Sequence, residues 1–182
     1  MQIDTLLIGS NNIKRWHHFS QLKHMKNGHA KNTNLGISGS TTNDLIAVPY
    51  LKRIFRYCPQ NVLYMAGNND VREKINPHEI VANIRQFIVN VQNTYFSCKI
   101  AAKIVICSLI ITPENQADPK EKRIIEKIND ELREYCHGLQ RFGIVFVNIG
   151  RGLKSEHFVN DGIHLNMAGY DYVFSRLARH LY

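Results

Sequence analysis

The stretch IGSNNI, at residues 8–13, offers one side chain that could attack a substrate. An apolar run ends at Gly9, and Ser10 then presents a hydroxyl. Asn11 and Asn12 present only carboxamides, which a histidine cannot convert into useful nucleophiles. If covalent chemistry takes place here, we therefore expect Ser10 to be the attacking residue.

Near the C-terminal end, Asp161 precedes His164 by three residues. At this spacing a carboxylate can lie on the same side of a turn as the imidazole, hold its tautomer and stabilise the imidazolium formed in a reaction. The alternative is structural, with an Asp-Gly turn that leads into a helix and a packed or solvated His164. On these residues alone, the structural interpretation is favoured.

Long apolar runs predict the strands that must position these side chains. The runs lack polar alternation, which is typical of strands covered on both faces in a parallel sheet. They are DTLLIG (4–9), NVLYMAG (61–67), KIVICSLII (103–111) and GIVFVNIG (143–150), with NTNLGI (32–37) as a weaker fifth candidate.

Helical patterns with recognisable capping residues lie between the predicted strands. A cap, a first-turn proline and a capping-box acid follow one another in NPHE (76–79) and again in DPKE (118–121). The last helix is predicted to begin at Asn166, and a helix over residues 42–57 is predicted to be disturbed at Pro49.

Strands that alternate with helices imply right-handed crossovers and a three-layer α/β/α sandwich. In such sheets, ligands bind at the carboxyl ends of the strands, where Gly9, Gly39 and Gly67 are expected. The chain contains no linker-like or repetitive stretch, so residues 1–182 are predicted to form one domain.

Four segments lie at these loop positions, three after the first three predicted strands and one before the last helix. Three of the four resemble the motifs of the SGNH hydrolases, which include the GDSL-type esterases and lipases. G-x-N-D matches 67–70, D-x-x-H followed by L-N-x-x-G-Y matches 161–170, and N-x-G-x-x-G-S/D-T matches 34–41. The matches keep the family's order and extend over nearly the whole chain. The resemblance implies a flavodoxin-like α/β domain with a five-stranded parallel sheet, which cleaves a small carboxylic ester through an acyl-enzyme without a metal or cofactor.

Carried over by position, the family's roles make His164 the general base and Asp161 the carboxylate that orients it. The resemblance also implies three oxyanion-hole donors, which are the backbone N–H groups of Ser10 and Gly39 and the side-chain amide of Asn69. The structural alternatives are that Gly39 only turns the chain and that Asn69 only caps the next helix.

The opening stretch departs from the family pattern. Aligned on Gly9 without gaps, the nucleophile's place holds Asn11, and Ser10 lies one residue before it. Asparagine cannot form the acyl-enzyme. The leading expectation is that the turn is rearranged so that Ser10 attacks. The alternative is a site that has lost its nucleophile and acts as a binding module, in which Asn11 contributes hydrogen bonds in the pocket.

Composition excludes several other classes of protein. Hydrophobic residues make up 44% of the chain and charged residues 21%, as in ordinary globular domains. The N-terminal residues do not have the pattern of a signal peptide, and no apolar run reaches the ~20 residues of a membrane span. Cys58, Cys98, Cys107 and Cys136 form no CxxC pair. We therefore expect a cytoplasmic protein with free thiols and no metal site.

The net charge of +8 is unevenly distributed. No acidic residue lies between Asp4 and Asp44, where the basic residues are Lys14, Arg15, Lys23, Lys26 and Lys31. A solvated basic face is the favoured interpretation. The alternative is a functional one, in which the basic residues create a positive field that attracts anionic ligands. Since no nucleic-acid module accompanies the charge, we expect a small-molecule ester as partner rather than a specific nucleic acid.

Overall fold

The computed structural model describes residues 2–16 and 32–181. Lys23, Lys26 and Lys31, which belong to the predicted basic segment, lie outside the described residues. The basic face therefore stays a prediction.

A parallel sheet of five strands forms the centre of the molecule. The strands are β1 (Gln2–Gly9), β2 (Asn32–Asn34), β3 (Cys58–Met65), β4 (Lys103–Cys107) and β5 (Ile144–Val147). They lie in the order β2-β1-β3-β4-β5, which is the order of flavodoxin-like folds. The predicted fold class is confirmed, and the weak fifth run contributes the short edge strand β2.

Helices cover both faces of the sheet. They are α1 (Asn11–Trp16), α2 (Thr42–Ile46), α3 (Val48–Ile54), α4 (Asn68–Arg72), α5 (Pro77–Ser97), α6 (Pro113–Ala117), α7 (Pro119–His137) and α8 (Met167–Leu181). Short 3₁₀ turns occupy Gln140–Phe142 and Ser155–His157.

The predicted helix ends agree closely with the structure. The side chain of Asn76 accepts a hydrogen bond from the His78 N–H at the start of α5, and Asp118 caps α7. The segment predicted to be disturbed at Pro49 is split between α2 and α3, with Ala47 in an extended conformation at the break. Proline has no N–H for a continuous helix, so the chain restarts there with Pro49 in the first turn of α3.

Adjacent residues of one strand belong to two different hydrophobic clusters. Leu6 and Ile8 pack with Phe87 of α5, whereas Leu7 packs with Trp16 of α1 and with the buried face of α8. Because both faces of the sheet are covered, the strands show no polar alternation in sequence.

The third apolar run, KIVICSLII (103–111), extends beyond its strand. It was predicted to be a strand to residue 111, but β4 ends at Cys107 and the following residues form a buried loop. The carboxamide of Asn129 bonds both backbone groups of Leu109 (2.8 and 3.0 Å), and that of Asn68 bonds both groups of Ile110 (3.1 and 2.6 Å). Side-chain amides thus replace the neighbouring strand that a buried backbone otherwise needs.

All four cysteines are free, with Cys58 and Cys98 exposed and Cys107 and Cys136 buried. Burial raises the pKa of both buried thiols, that of Cys136 to about 12, so neither is a reactive thiolate at neutral pH. Within 2–16 and 32–181, no helix is long and apolar enough to cross a membrane.

Candidate active site

A narrow pocket lies at the carboxyl edge of the sheet. Ser10 and Asn11 after β1, Asn69 in α4, and His164 before α8 all line it. Its cavity volume is about 20 Å³, a little more than one water requires. Three of the four predicted loops therefore meet in one place, and the fourth reaches it through a contact of Gly39.

The histidine side of the pocket is built by one tight turn. Nδ1 of His164 lies 2.6 Å from Oδ2 of Asp161. The other carboxylate oxygen accepts hydrogen bonds from the backbone N–H groups of Ile163 (2.8 Å) and His164 (2.9 Å). Gly162 adopts a φ of 67° within this turn. The carboxylate thus shapes the loop and orients the ring, and it leaves Nε2 as the nitrogen available to a substrate.

The same hydrogen bonds determine the charge of Asp161. Desolvation raises the pKa of its carboxyl, but bonds from the backbone N–H of His164, the imidazole and the Ile163 N–H outweigh that effect and lower the pKa to about 2. Asp161 is therefore an anion at neutral pH and can stabilise an imidazolium. Within the described ranges, no group of three or more His, Cys, Asp and Glu side chains could hold a metal ion.

The loop that carries His164 is anchored on both sides. Its carbonyl accepts a hydrogen bond from the Val159 N–H (2.8 Å), and Leu165 forms an antiparallel bridge with Phe158. Asn166 accepts a bond from the Gly169 N–H (3.0 Å) at the start of α8. The helix begins one residue after the predicted position, because Asn166 is its cap.

Asn69 reaches from α4 to the loop before α2. One N–H of its buried carboxamide donates to the carbonyl of Ser40 at 2.9 Å. A carboxamide has two N–H groups, so the second can serve another acceptor. Gly67, at φ 112°, occupies the cap position of α4, and Asn69 makes its bond to a different loop.

Asp70, the next residue, ties the two segments together. Its carboxylate is fully buried and accepts bonds from the Thr42 N–H (2.9 Å) and the Thr42 hydroxyl (2.5 Å). Desolvation raises the pKa of Asp70, while the bonds from Thr42 oppose the shift. Its role is to hold the start of α2, and it has no place in the pocket lining.

Gly39 contacts Asn11, which the ungapped motif alignment places at the nucleophile position. Its N–H donates to Oδ1 of Asn11 at 2.7 Å. Gly39 has a φ of 75°, and an added Cβ would meet no atom within 4 Å, so glycine is required here for its backbone conformation rather than for space. The expected oxyanion donor thus already binds an oxygen atom of the protein itself.

Ser10 lies at the junction of β1 and α1. Its carbonyl accepts the Lys14 N–H (2.9 Å) at the start of the helix, and its N–H donates to the carbonyl of Met65 (3.3 Å). The residue is 7% exposed and lines the pocket. Among the described residues, the hydroxyl of Ser10 has no hydrogen-bond partner, so Ser10 and His164 share the pocket without a bond between them.

Several further residues around the pocket were not predicted from the sequence. Oδ1 of Asn12 accepts a bond from the Leu165 N–H (3.4 Å), and its carbonyl accepts one from the Tyr170 hydroxyl (2.8 Å), so α1 is tied to the loop of His164. Arg72 and Glu114 also line the pocket. Arg72 could have been found from its i, i+3 spacing to the predicted site residue Asn69, since this spacing places both on one face of α4. Glu114 has no comparable signal.

A family model supports the similarity to acylhydrolases. The model described as GDSL-like Lipase/Acylhydrolase family matches residues 5–172. No curated protein is similar enough in sequence to match the chain.

Solved structures show the same fold at low identity. A Streptococcus pneumonia protein described as a candidate platelet activating factor superposes with a TM-score of 0.81 at 20% identity, over 100% of this chain and 85% of its own. A GDSL-like lipase from Bacteroides thetaiotaomicron gives 0.72 at 20% identity, over 98% and 87%. A carbohydrate esterase family 3 protein from Talaromyces cellulolyticus gives 0.76 at 16% identity, over 98% and 96%. At such identities the likeness concerns the fold.

Proposed function

The chain belongs to the GDSL-like lipase/acylhydrolase family, and from this premise we propose that it hydrolyses a small carboxylic ester in the pocket beside His164. The observation that carries the proposal is the 2.6 Å contact of Asp161 with His164, in a pocket that also presents a serine hydroxyl and the amide of Asn69. An oriented imidazole, a hydroxyl and amide donors are the groups that acyl transfer requires.

In the proposed reaction, Ser10 Oγ attacks the ester carbonyl while Nε2 of His164 takes its proton. The tetrahedral intermediate collapses, the bond to the alcohol breaks, and His164 returns the proton to the leaving alkoxide. Water then attacks the acyl-enzyme with His164 again as base, which releases the acid and restores Ser10. Asp161 stays ionised throughout and stabilises the imidazolium.

Oxyanion binding requires a movement of Asn11. The Gly39 N–H becomes available only when the Asn11 carboxamide leaves it, at a cost of about 1 kcal/mol for an ordinary hydrogen bond. An oxyanion donor contributes about 3 kcal/mol to transition-state stabilisation, so the exchange is favourable. Asn69 adds its second N–H. The N–H of Ser10 can contribute only by leaving the carbonyl of Met65.

The second candidate function is an acyl- or sugar-binding module without turnover. The observation that favours it is the 2.7 Å bond from Gly39 to Asn11, because a carboxamide stands where the family places its nucleophile. In this case the pocket binds a carbonyl compound and His164 only donates or accepts a hydrogen bond.

The narrow pocket favours a short acyl group. A cavity of about 20 Å³ holds little beyond the reacting carbonyl, so any further group on the acyl chain must lie towards the exposed residues at the edge of the pocket or requires Asn11 to move. A cytoplasmic location fits the four free cysteines, since thiols persist in a reducing compartment.

The decisive experiment combines an esterase assay on 4-nitrophenyl acetate with fluorophosphonate labelling and peptide mass spectrometry. The hydrolase proposal expects turnover and an adduct on Ser10, both lost in Ser10→Ala and both kept in Ser38→Ala, a matched hydroxyl deletion in a neighbouring loop. An inactive, unlabelled protein that gains both properties in Asn11→Ser would support the binding module. Labelling that survives Ser10→Ala would overturn Ser10 as the nucleophile.

A further inference from the structure

The asparagine side chains that line the pocket are engaged in holding loops. Each lining asparagine bonds at least one backbone group outside itself. These residues are Asn11, Asn12, Asn68, Asn69 and Asn115. A ligand that relied on them alone would compete with the hydrogen bonds that shape the pocket.

The charged lining residues are not engaged in this way. Arg72 ends α4 and Glu114 lies in the first turn of α6, and both are exposed at the pocket. The two form no ion pair with each other, and over residues 2–16 and 32–181 neither has another ion-pair partner. The pocket therefore presents one guanidinium and one carboxylate that are free to meet a ligand.

The net charge of the protein favours Arg72 over Glu114 as the residue that binds a charged ligand. The chain carries a charge of +8, so its field concentrates anions and repels cations. A guanidinium binds a carboxylate with two parallel hydrogen bonds, which gives geometric selectivity as well as attraction. Glu114 in the same pocket opposes an anion, and the observed affinity is the difference between the two effects.

We propose that Arg72 is a specificity-determining residue, which binds a carboxylate on the ester substrate while the ester carbonyl lies beside His164. This inference rests on the proposed function for the identity of the reacting group, but the contact of Arg72 with an anion can be tested by binding alone. The substrate class is thus the half-ester of a small dicarboxylic acid rather than a neutral ester.

The kinetic test compares 4-nitrophenyl acetate with mono-4-nitrophenyl succinate, an ester that carries a carboxylate. The ratio of kcat/KM for the succinate to that for the acetate should fall about tenfold in Arg72→Gln, because one charge-assisted contact is lost. It should rise about twofold in Glu114→Gln, because a repulsion is removed. Arg123→Gln, an exposed arginine outside the pocket lining, should leave the ratio unchanged.

A binding measurement separates this inference from the proposed function. Calorimetry with succinic mono-4-nitroanilide, the amide analogue of the ester, should show a Kd about tenfold weaker in Arg72→Gln than in the wild type, even if neither ester is hydrolysed. Equal binding by both proteins, or an unchanged kinetic ratio, would overturn the role of Arg72. Competition by inorganic phosphate stronger than that by acetate would overturn the carboxylate in favour of a phosphate.

Discussion

The two sides of the pocket differ in how completely they form a hydrolytic arrangement. On the histidine side, Asp161 holds His164 with a 2.6 Å contact, and two backbone N–H groups hold the carboxylate in turn. On the serine side, the hydroxyl of Ser10 has no partner among the described residues, and Asn11 binds the Gly39 N–H. In the proposed reaction, the histidine side already has the arrangement for proton transfer, while the serine side must rearrange.

The difference reflects how many segments build each side. The histidine side lies within one turn of four residues, so local hydrogen bonds suffice to form it. The serine side needs β1, the loop of Gly39 and α4 to meet, and the residue type after the end of β1 determines which side chain reaches the junction. A single residue can therefore leave the fold and the histidine side intact while it changes the chemistry opposite them.

The largest effect is expected from the histidine side. His164→Ala removes the proposed general base, and turnover of 4-nitrophenyl acetate should fall about 10³-fold. His78→Ala, an exposed histidine at the start of α5, is the control and should retain activity. If His164→Ala keeps wild-type turnover, the histidine side has no role in catalysis and the comparison of the two sides loses its basis.

A smaller loss is expected from Asp161→Asn. The side chain of Asp161 is 40% exposed, so the loss should be about 10²-fold, below the ~10⁴-fold loss known for a buried triad aspartate. The amide also removes the negative charge that stabilises the imidazolium. Steady-state kinetics of both variants on one ester measure the ratio of the two effects, and a larger loss in Asp161→Asn than in His164→Ala would contradict the order.

The lowered pKa of Asp161 also predicts how the stability of the wild type depends on pH relative to Asp161→Asn. Its folded pKa is about 2 against an ordinary value of 3.8, so the native state binds the proton less tightly than the unfolded state. The stabilisation is complete above about pH 4 and is lost as the pH falls towards 2. Urea denaturation from pH 3 to pH 7 should show the wild type losing stability at low pH relative to Asp161→Asn. A constant difference would contradict the lowered pKa.

The variant Asp70→Asn tests how much the buried hydrogen bonds near the serine side contribute to stability. Asp70→Asn weakens the bonds to Thr42 that hold the start of α2, next to the Gly39 loop. Hydrogen bonds to a buried charged group contribute about 2 kcal/mol, so the free energy of unfolding should fall by that amount. Asp130→Asn breaks only the exposed pair with Arg133 and should change stability very little. Equal losses in the two variants would show that the buried bonds add nothing.

The smallest effect is expected from Asn11, whose carboxamide accepts the Gly39 N–H. Asn11→Ala frees the Gly39 N–H without a hydrogen bond to break, so kcat should rise about fivefold, corresponding to about 1 kcal/mol. Stopped-flow or steady-state assays on 4-nitrophenyl acetate measure this change. A fall in kcat would mean that the carboxamide assists the reaction, which would reverse its assigned role.

Much of the fold could be predicted because its signals are local. The apolar runs place the strands, and Asn76, Asp118 and Asn166 mark helix starts within one residue of the structure. The end of β4 was missed, because hydrophobic residues fill a buried loop as readily as a strand. The backbone of that loop is satisfied by the distant carboxamides of Asn129, twenty residues further along the chain, and of Asn68, and no local pattern reveals these contacts.

The site was predictable in its members but not in its contacts. Family motifs placed Asn69 and His164 at one edge, and the structure finds both lining the pocket. The bond from Gly39 to Asn11 depends on two loops 28 residues apart, and no spacing rule predicts which partner a carboxamide selects. Arg72 was missed because an exposed arginine in a short helix resembles any solvated residue.

The loop after β4 has a consequence for how the pocket adapts. Four hydrogen bonds from Asn68 and Asn129 fix the backbone of residues 109 and 110. Asn68, which lines the pocket, is held in place by two of these bonds, whereas Asn11 on the other side is held by one. A bound acyl group should therefore be accommodated by a rotation of Asn11 rather than by the loop after β4, and selectivity for acyl length should follow the rotamer of Asn11.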